Sequence, residues 1–495
     1  MYIKSFFFFF FFFFFFFFLP SSYASHFVFT DGECINFESI NAKFKGDNLN
    51  VFDYDSLGNV SKKPIYIVKD SNDCVNNLPV GYYKVNSSEV RAASYFSIVN
   101  RNIPINTNLG VITHFGNLLK KQYDYKELLP LIRLIGIGNI RDELYWHNIE
   151  KQPGIFVFPS EYEQYIRTSV SYGIKPLIVL GYGNGIYKND EEQIANFSLY
   201  SGAVVKHYAK YTDLWEIWNE PKSTIFNYSN WDGYNKIYSS AYSEIKKMQP
   251  NSTVVACGGG GKMGNSDGEC ITNLVARNKD NIDAFSVHMY FRNSPETGLH
   301  TFLRPFANIS STVNFLTIPI VLEKNVIGIK KDGYKPFLTE FGWASTNKDG
   351  TDNSMLQAAY LIRGIANNFL GAFFQKIYFY DFVDDGVDKT NKEHNYGVLY
   401  FNQQPKPSFS AISFFNYITA NRLFTKSIMI SDSVMGIYID KDNESILMVF
   451  SLDGRNHEIS PPNAKKVYDW QGKVVISHNG SFTVNSMPLY LTSTY

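Results

Sequence analysis

From Leu109 to about Phe424 the chain alternates between short apolar runs and longer segments in which apolar residues recur at helical spacing. The helical pattern is clearest over Ser160–Tyr172, Tyr234–Met248 and Met355–Phe369. Strands that alternate with helices of this length are typical of a parallel α/β fold.

Eight of the apolar runs predict β-strands. They are Leu109–Phe115, Asn139–Trp146, Pro176–Gly181, Leu214–Trp218, Thr253–Gly258, Ala284–Tyr290, Pro336–Phe341 and Lys376–Phe382. Eight strand–helix units in roughly 315 residues fit a (β/α)8 TIM barrel with some insertions. A doubly wound sheet would carry a phosphate-binding GxGxxG loop after its first strand, and none follows Phe115. The run Gly258–Gly261 lacks the ending of a P-loop and predicts a tight turn.

Strand patterns without helical spacing flank this region on both sides. Before it, extended runs such as Pro64–Val68 and Gly81–Val85 are separated by turn residues. We therefore expect a small N-terminal β domain at residues 25–105, the barrel at 106–424 and a C-terminal β-sandwich domain at 425–495.

The first 24 residues have the pattern of a secretory signal peptide. Lys4 supplies a positive start, Phe6–Phe18 form an apolar run, and Pro20 ends that run. Small residues precede a cleavage site between Ala24 and Ser25. The apolar run is shorter than the roughly 20 residues of a membrane helix. We expect cleavage, and no stable membrane insertion after it.

Cysteines and glycosylation sequons agree with a secretory route, either to the outside or to the endolysosomal lumen. Of the three ways to pair four cysteines, the local one, Cys34 with Cys74 and Cys257 with Cys270, is preferred. No histidine or acidic cluster accompanies either pair, so no metal site is expected there. The sequons lie at Asn59, Asn86, Asn196, Asn227, Asn251, Asn308, Asn443 and Asn479.

Charge argues against nucleic acid as a partner. The chain carries 46 basic and 46 acidic residues, whereas proteins that bind nucleic acid usually have a basic excess. Aromatic residues make up 17% of the chain, which suits both core packing and stacking on sugar rings.

Two carboxylates stand where predicted strands end. Glu220 closes Leu214–Pro221, and Glu340 lies in Pro336–Trp343. In a barrel these positions form the C-terminal rim, where catalytic groups are found. The other acidic residues are expected at the surface.

A pair of carboxyls across a barrel can cleave a glycosidic bond. One carboxyl must carry a proton for the leaving oxygen, and burial with nearby negative charge would raise its pKa. The other must be ionised to attack the anomeric carbon. Strands four and seven face each other, so we expect a separation of about 5–5.5 Å, which is that of retaining enzymes.

The segments Trp218-Asn219-Glu220-Pro221 and Thr339–Trp343 resemble the signature of clan A glycoside hydrolases. Within that clan the chain is most similar to family 39 and its relatives, with family 5 second. The resemblance implies that Glu220 is the acid/base and Glu340 the nucleophile. It also implies that Asn219 contacts the sugar 2-hydroxyl.

Three further residues match the clan pattern. Arg141 corresponds to the strand-two arginine that supports the nucleophile, although it could instead pair with Glu216 inside the barrel. His288 and Tyr290 correspond to the strand-six pair, whose tyrosine bonds the nucleophile. A structural role for His288 is equally open and compatible with this one.

The chain departs from the clan at the end of strand eight. Clan members often carry tryptophan there, whereas this chain has Tyr380, which we expect to take over as the sugar platform. Trp343 is a second candidate platform, although most tryptophans are core residues. Asp384 and Asp385 either contact sugar hydroxyls or form a solvated acidic turn.

The sequence therefore predicts a secreted retaining O-glycosyl hydrolase that acts on a β-configured glycoside through a covalent intermediate, without a cofactor. Its expected partner is a carbohydrate or glycoside. The alternative is a non-catalytic carbohydrate-binding or wall-associated protein on the same barrel. The sugar, the choice between exo and endo action, and the oligomeric state do not follow from the sequence.

Overall fold

The computed structural model of the chain describes residues 27–41, 44, 48–87, 93–118, 122–221, 231–259, 266–278, 280–290, 293–296, 335–372, 374–461 and 464–494. The predicted signal peptide (residues 1–24) and the sequons at Asn227 and Asn308 lie outside the described residues. Within the described ranges, no helix has both the length and the apolar character needed to cross a bilayer.

A five-stranded sheet precedes the barrel. Its strands are β1 (Val28–Thr30), β2 (Leu49–Asp53), β3 (Tyr66–Val68), β4 (Gly81–Ser87) and β5 (Ser94–Val99). They lie in the order β1-β5-β4-β2-β3, and only the β1–β5 pair is parallel. A helical turn, α1 (Phe37–Ile40), is capped by the Asn36 side chain, which accepts a hydrogen bond from the backbone N–H of Ser39. The disulfide Cys34–Cys74 joins the segment before α1 to the loop after β3.

Eight parallel strands of the described chain close into a barrel. They are β6 (Asn106–Ile112), β7 (Ile137–Tyr145), β10 (Lys175–Gly181), β11 (Leu214–Ile217), β12 (Thr253–Ala256), β13 (Ala284–Met289), β14 (Lys335–Phe341) and β15 (Lys376–Phe379). Neighbours follow chain order, and β15 pairs back with β6. The predicted (β/α)8 barrel is confirmed.

Helices cover the outside of the barrel. They are α2 (Tyr125–Leu134), α3 (Trp146–Ile149), α4 (Ser160–Ser171), α5 (Asp190–Tyr208), α6 (Asp232–Met248), α7 (Ser266–Asn278), α8 (Ser354–Gly371) and α9 (Pro407–Thr419). A small hairpin of β8 (Glu150–Gln152) and β9 (Ile155–Phe156) follows α3. The helices pack on the outer faces of the strands, as α4 does on β10 and α6 on β12.

The barrel interior has an apolar floor beneath a polar layer. The floor consists of inward side chains from six strands: Leu177, Leu214, Val255, Ala284, Phe337 and Tyr378. Alternate residues of a strand point the same way, so residues two positions further along β11 and β13 also face inward. Those residues are Glu216 and Ser286, and both are fully buried. The floor therefore closes the bottom and leaves polar groups facing the C-terminal rim.

A second β region follows the barrel. Its five-stranded antiparallel sheet contains β16 (Leu423–Ser431), β17 (Val434–Lys441), β18 (Glu444–Ser451), β22 (Leu489–Thr494) and β20 (Lys466–Tyr468), in that order. A two-stranded sheet of β19 (His457–Ile459) and β21 (Phe482–Val484) shares an apolar cluster with it. The Gln471 side chain ties this region to the N-terminal sheet, since its Oε1 accepts from the N–H of Tyr82 at 2.8 Å.

Several acidic side chains are buried, contrary to the expectation that they lie at the surface. Asp384 is fully buried, and its Oδ1 accepts from Lys406 Nζ at 2.5 Å. Glu296 pairs with Arg363 of α8, where Nε and Oε1 are 2.9 Å apart. Buried charges persist only when they are paired. The sequence pattern could not reveal these pairs because the partners lie 22 and 67 residues apart. Asp384 is therefore neither a solvated turn residue nor a group facing a sugar.

Candidate active site

The end of β11 positions Glu220. Trp218 and Glu220 have positive φ angles of 67° and 45°, so the chain turns sharply out of the strand. Such a backbone costs about 1–3 kcal/mol per non-glycine residue and is found where surrounding contacts fix it. Here the Glu220 N–H donates to the Gly258 carbonyl at 2.7 Å. A Cβ on Gly258 would lie 2.2 Å from the Trp218 carbonyl oxygen, so this close approach requires glycine.

A break in strand register positions Glu340. Along β14 the pairing with β15 shifts between Leu338 and Phe341, and the pairing with β13 shifts between Val287 and His288. Irregularities of this kind re-aim side chains near active sites. They bring the side chains of both Thr339 and Glu340 to the residues of β13.

His288 of β13 lies between the two glutamates. Its Nδ1 is 3.1 Å from Glu220 Oε1 and 3.4 Å from Glu340 Oε2. Its Nε2 is 3.1 Å from Thr339 Oγ1. One carboxylate oxygen of each glutamate and the imidazole nitrogen all lie within 4.8 Å of one another. The side chain of Glu220 is 32% exposed and that of Glu340 only 10%, so the two carboxyls differ in their access to water.

Arg141 of β7 joins three side chains of the site. Its Nε donates to Glu216 Oε2 at 2.6 Å, its Nη1 to Glu340 Oε1 at 2.9 Å and its Nη2 to Asn219 Oδ1 at 2.8 Å. Arg141 was predicted either to support Glu340 or to pair with Glu216. The structure shows both contacts. The guanidinium is 1% exposed, so its charge is screened little by water.

The remaining oxygens of this network are also bonded. Tyr290 donates its hydroxyl to Glu340 Oε2 at 2.7 Å. Ser286 donates to Glu216 Oε1 at 3.0 Å, and the N–H of Gly259 donates to Ser286 Oγ at 3.0 Å. Side chains with this many partners are held in one geometry before any ligand arrives.

Charge coupling moves the pKa values of Glu220 and His288 in opposite directions. Burial raises the pKa of Glu220, but the hydrogen bond and the charge of His288 outweigh it, and the pKa lies below its usual 4.5. Burial lowers the pKa of His288, but the charge of Glu340 and the hydrogen bond to Glu220 outweigh it, and the pKa lies above 6.5. The expected rise in the pKa of the acid is therefore not found in the free protein, because a protonated His288 stabilises the Glu220 carboxylate.

A second charged cluster, which was not predicted from the sequence, lies on the same rim. His114 Nδ1 is 3.6 Å from Glu143 Oε2, and His114 Nε2 is 4.0 Å from Asp381 Oδ2. Burial lowers the pKa of His114, but Glu143 together with Asp385 and Asp381 raises it to about 10. Burial raises the pKa of Glu143, but its interaction with the positive charge of the adjacent His114 outweighs burial, so the pKa falls. His114 is thus a cation at neutral pH.

Tyr380 stands between the two clusters. Its ring lies 6.2 Å from that of Tyr290 and 5.6 Å from that of His114. Its hydroxyl donates to Asp385 Oδ2 at 2.7 Å, and Tyr123 donates to the other oxygen of Asp385. The expected platform residue therefore lies beside the network of Glu340, with its hydroxyl fixed by Asp385.

Trp343 is placed elsewhere. It is only 7% exposed, and its indole N–H donates to the Asn293 carbonyl at 3.0 Å. Its ring packs against α8, next to Gly364 and 5.6 Å from the ring of Tyr360. The expectation that Trp343 forms a sugar platform is not supported, because its ring packs on the helix outside the barrel.

Both expected disulfide pairs are present, and Cys257–Cys270 links the end of β12 to α7. The sequon asparagines in the described residues are exposed or half-buried: Asn59, Asn86, Asn196, Asn251, Asn443 and Asn479.

Among the described residues, two groups of side chains each hold three potential metal-ligand atoms within 4.8 Å of one another: His114 with Asp381 and Asp385, and His288 with Glu220 and Glu340. A histidine must be neutral to ligate a metal. The raised pKa values of His114 and His288 therefore favour ion pairing over metal binding.

Solved structures share this architecture. The chain is 24% identical to a family 39 glycoside hydrolase from the gut symbiont Bacteroides cellulosilyticus WH2, with a TM-score of 0.76 over 94% of this chain and 98% of that one. It is 14% identical to a monomeric beta-xylosidase from Caulobacter crescentus CB15, with a TM-score of 0.55 over 80% and 97% of the two chains. At these identities the likeness concerns the fold.

Sequence comparison adds the family. A beta-xylosidase of Geobacillus stearothermophilus is 25% identical over 245 residues, which are 46% of this chain and 47% of that protein. The chain thus matches about half the length of this relative. The profile of the glycosyl hydrolases family 39 matches residues 198–459, a stretch that includes Glu220, His288 and Glu340 and exceeds half of the chain. The chain belongs to glycosyl hydrolases family 39.

Proposed function

We propose that the protein is a secreted retaining glycoside hydrolase that cleaves a β-configured O-glycoside by double displacement. The observation that carries this proposal is the approach of Glu220 and Glu340, whose facing oxygens lie within 4.8 Å at His288. Retaining enzymes hold their carboxyls about 5–5.5 Å apart, whereas inverting enzymes need about 6.5–9.5 Å for a water molecule.

Glu340 is the proposed nucleophile. Its carboxylate attacks the anomeric carbon and forms a glycosyl ester, while the bond from that carbon to the leaving oxygen breaks. Arg141 and Tyr290 hold one oxygen each, which fixes the direction of attack. Both partners are hydrogen-bond donors, and Arg141 also places a positive charge beside the attacking carboxylate.

Glu220 is the proposed acid and base. It is the more exposed of the two carboxyls, so a leaving group and later a water molecule can reach it. It passes a proton to the leaving oxygen in the first step and takes a proton from water in the second. The Nδ1 of His288 lies 3.1 Å away, so the two groups can share one proton, and the lowered pKa of Glu220 and raised pKa of His288 favour its position on His288 in the free protein. That proton returns to Glu220 when a bound substrate excludes water from its carboxyl.

Replacing His288 by Asn should move the alkaline limb of the pH–kcat/KM profile to lower pH by about one unit or more. In the wild type the shared proton leaves with the raised pKa of the pair, above 6.5. Without His288 the proton must be held by Glu220 alone, whose pKa burial raises from its usual 4.5 and the charge of Arg141 lowers, and we expect that pKa to lie below the pKa of the pair. Initial rates from pH 4 to pH 9 on an aryl β-glycoside measure the shift. An unchanged alkaline limb would show that the pair does not hold the catalytic proton.

Secretion is the second part of the proposal. The signal-like segment of residues 1–24, two disulfides and several surface sequons support delivery to the outside or to the endolysosomal lumen. Because a related protein is named a beta-xylosidase, β-xylosides are the first substrates to test.

A panel of aryl β-glycosides, followed by proton NMR during the first turnovers, tests the function. The proposal expects the β-anomer of the released sugar to form first and then to mutarotate. First release of the α-anomer would contradict retention. If no glycoside in the panel is turned over, the carbohydrate-binding alternative gains support instead.

A further inference from the structure

A tyrosine-lined cavity of about 360 Å³ lies beside the barrel rim. One wall comes from the N-terminal sheet, with Tyr82 of β4, Tyr95 of β5 and Tyr54 in the loop after β2. The other wall comes from the loops after β14 and β15, with Asp352 and Tyr400. Loops that follow barrel strands lie on the C-terminal face, so the cavity is on the same face as the two glutamates. We propose that this cavity is a second, non-catalytic binding site for one neutral pyranose unit.

The aromatic walls suit a flat sugar ring. Tyr82 is buried and stacks on Tyr95, with planes parallel to within 2° and ring centroids 5.8 Å apart, so the accessible ring surface comes from the half-buried Tyr54, Tyr95 and Tyr400. Tyr54 lies 5.0 Å from Tyr82, and Tyr400 lies 5.9 Å from Tyr95. Large, rigid amphipathic rings offer apolar faces to C–H groups and hydroxyls to polar ones at a low cost in conformational entropy.

The polar groups of the cavity suit sugar hydroxyls. The Asp352 carboxylate accepts from the N–H and the hydroxyl of Ser354, both at 3.2 Å, and these bonds fix it at the cavity wall. Burial raises the pKa values of Tyr54, Tyr82, Tyr95 and Tyr400, and Asp352 raises each of them further. The phenols of the half-buried Tyr54, Tyr95 and Tyr400 therefore remain neutral donors beside one carboxylate acceptor.

Charge selects a neutral ligand. Asp352 is the only charged side chain among the described residues that line the cavity, so an anionic sugar would meet an unpaired negative charge. A small organic cation is disfavoured because two positive charges already lie near one of the rings and would repel it. The ammonium groups of Lys406 and Lys389 lie 5.2 Å and 5.0 Å from the ring centroid of Tyr400. A neutral polyol uses the hydroxyls and the ring faces without either conflict.

The size of the cavity agrees with this occupant. Small-molecule sites usually have volumes of about 300–1,000 Å³, and 360 Å³ lies at the small end of that range. A second contact on the catalytic face would raise the local concentration of a substrate that carries several sugar units. Asn59, a sequon residue, also lines the cavity, so protein for testing should be made without N-glycans.

Met355 lines the cavity and provides a site-specific probe. The full sequence has nine methionines, one of them Met1 of the predicted signal peptide, and in protein labelled with ¹³C-methyl methionine the variant Met355→Leu identifies the relevant signal. In a Glu340→Gln background, which prevents turnover, titration with methyl β-xylopyranoside or methyl β-glucopyranoside should shift the Met355 signal saturably. The signal of Met248, which does not line the cavity, should stay in place.

Asp352→Asn removes the charge but keeps the shape, and it should raise the apparent Kd read at Met355 by about fivefold or more. Tyr417→Phe, on the exposed side of α9, is the matched control and should leave that Kd unchanged.

The proposal is overturned if Met355 does not respond to either sugar, or if Asp352→Asn has no effect. It is also overturned if tetramethylammonium or glucuronate shifts Met355 more strongly than the neutral sugars do. Because the readout is binding at Met355, it does not depend on whether the glutamates are catalytic.

Discussion

Glu340→Gln is expected to lower kcat on an aryl β-glycoside by at least about 10⁴-fold, because the neutral amide cannot form the glycosyl ester. The side chain keeps its size and can still meet Arg141 and Tyr290, so the fold should be retained. Initial rates, together with thermal unfolding of the same sample, separate loss of chemistry from loss of structure.

Glu220→Gln provides the contrast. We expect a loss of about 10²–10⁴-fold on substrates whose leaving group needs a proton. A dinitrophenyl leaving group needs none, and azide should then restore turnover and yield a glycosyl azide. Glu191→Gln, at the exposed start of α5, is the matched control and should behave as the wild type. Activity of Glu340→Gln within tenfold of the wild type would remove Glu340 from the nucleophile role.

Arg141→Met should affect stability and activity together. It leaves Glu216 and Glu340 without their shared cation, and both are buried. Removing one partner of a buried ion pair costs about 3–5 kcal/mol of unfolding free energy. The loss of the donors that position Glu340 should lower kcat/KM by about 10²–10³-fold. Denaturant unfolding and steady-state kinetics measure the two effects.

Arg363→Met is the matched control for Arg141→Met. It breaks a buried pair with Glu296, on the outer side of the barrel. We expect a similar loss of stability, but kcat/KM per folded molecule should stay within about twofold of the wild type. If the two variants lose activity to the same degree, Arg141 acts only through stability, and its proposed role in orienting Glu340 is wrong.

The barrel and the central network could be predicted because their signals are local in the sequence. Apolar runs of strand length mark the barrel, and a polar residue at the end of such a run marks the rim. Glu220 and Glu340 satisfy that rule, whereas Arg141 lies in the middle of β7 and was predicted from the resemblance to the clan. Period-two alternation also explains why Glu216 and Ser286 face inward above the floor formed by Leu214 and Ala284.

The cluster around His114 could not be predicted in the same way. His114 follows β6, Glu143 lies in β7 and Asp381 follows β15, so the cluster exists only once the barrel closes. The prediction that the pKa of Glu220 is raised was wrong for the same reason. Burial was foreseen, but the protonated His288 that outweighs it lies 68 residues away.

The position of Trp343 could not be predicted from the motif at the end of β14. It lies two residues beyond the end of β14, where simple alternation would place it near the sugar. The register shift between Leu338 and Phe341 breaks that alternation. As a result, Glu340 contacts Arg141 and Tyr290, while the ring of Trp343 packs on α8 beside Gly364.

The covalent intermediate is the central claim, and mass spectrometry tests it directly. The protein is incubated with a 2-deoxy-2-fluoro β-glycoside that carries a good leaving group, and the intact mass is followed before proteolytic digestion. We predict the mass increase of one fluorosugar, located on the peptide that contains Glu340 and absent from Glu340→Gln. A labelled peptide that lacks Glu340 would contradict the assignment, and turnover of the normal glycoside with inverted configuration would contradict the mechanism.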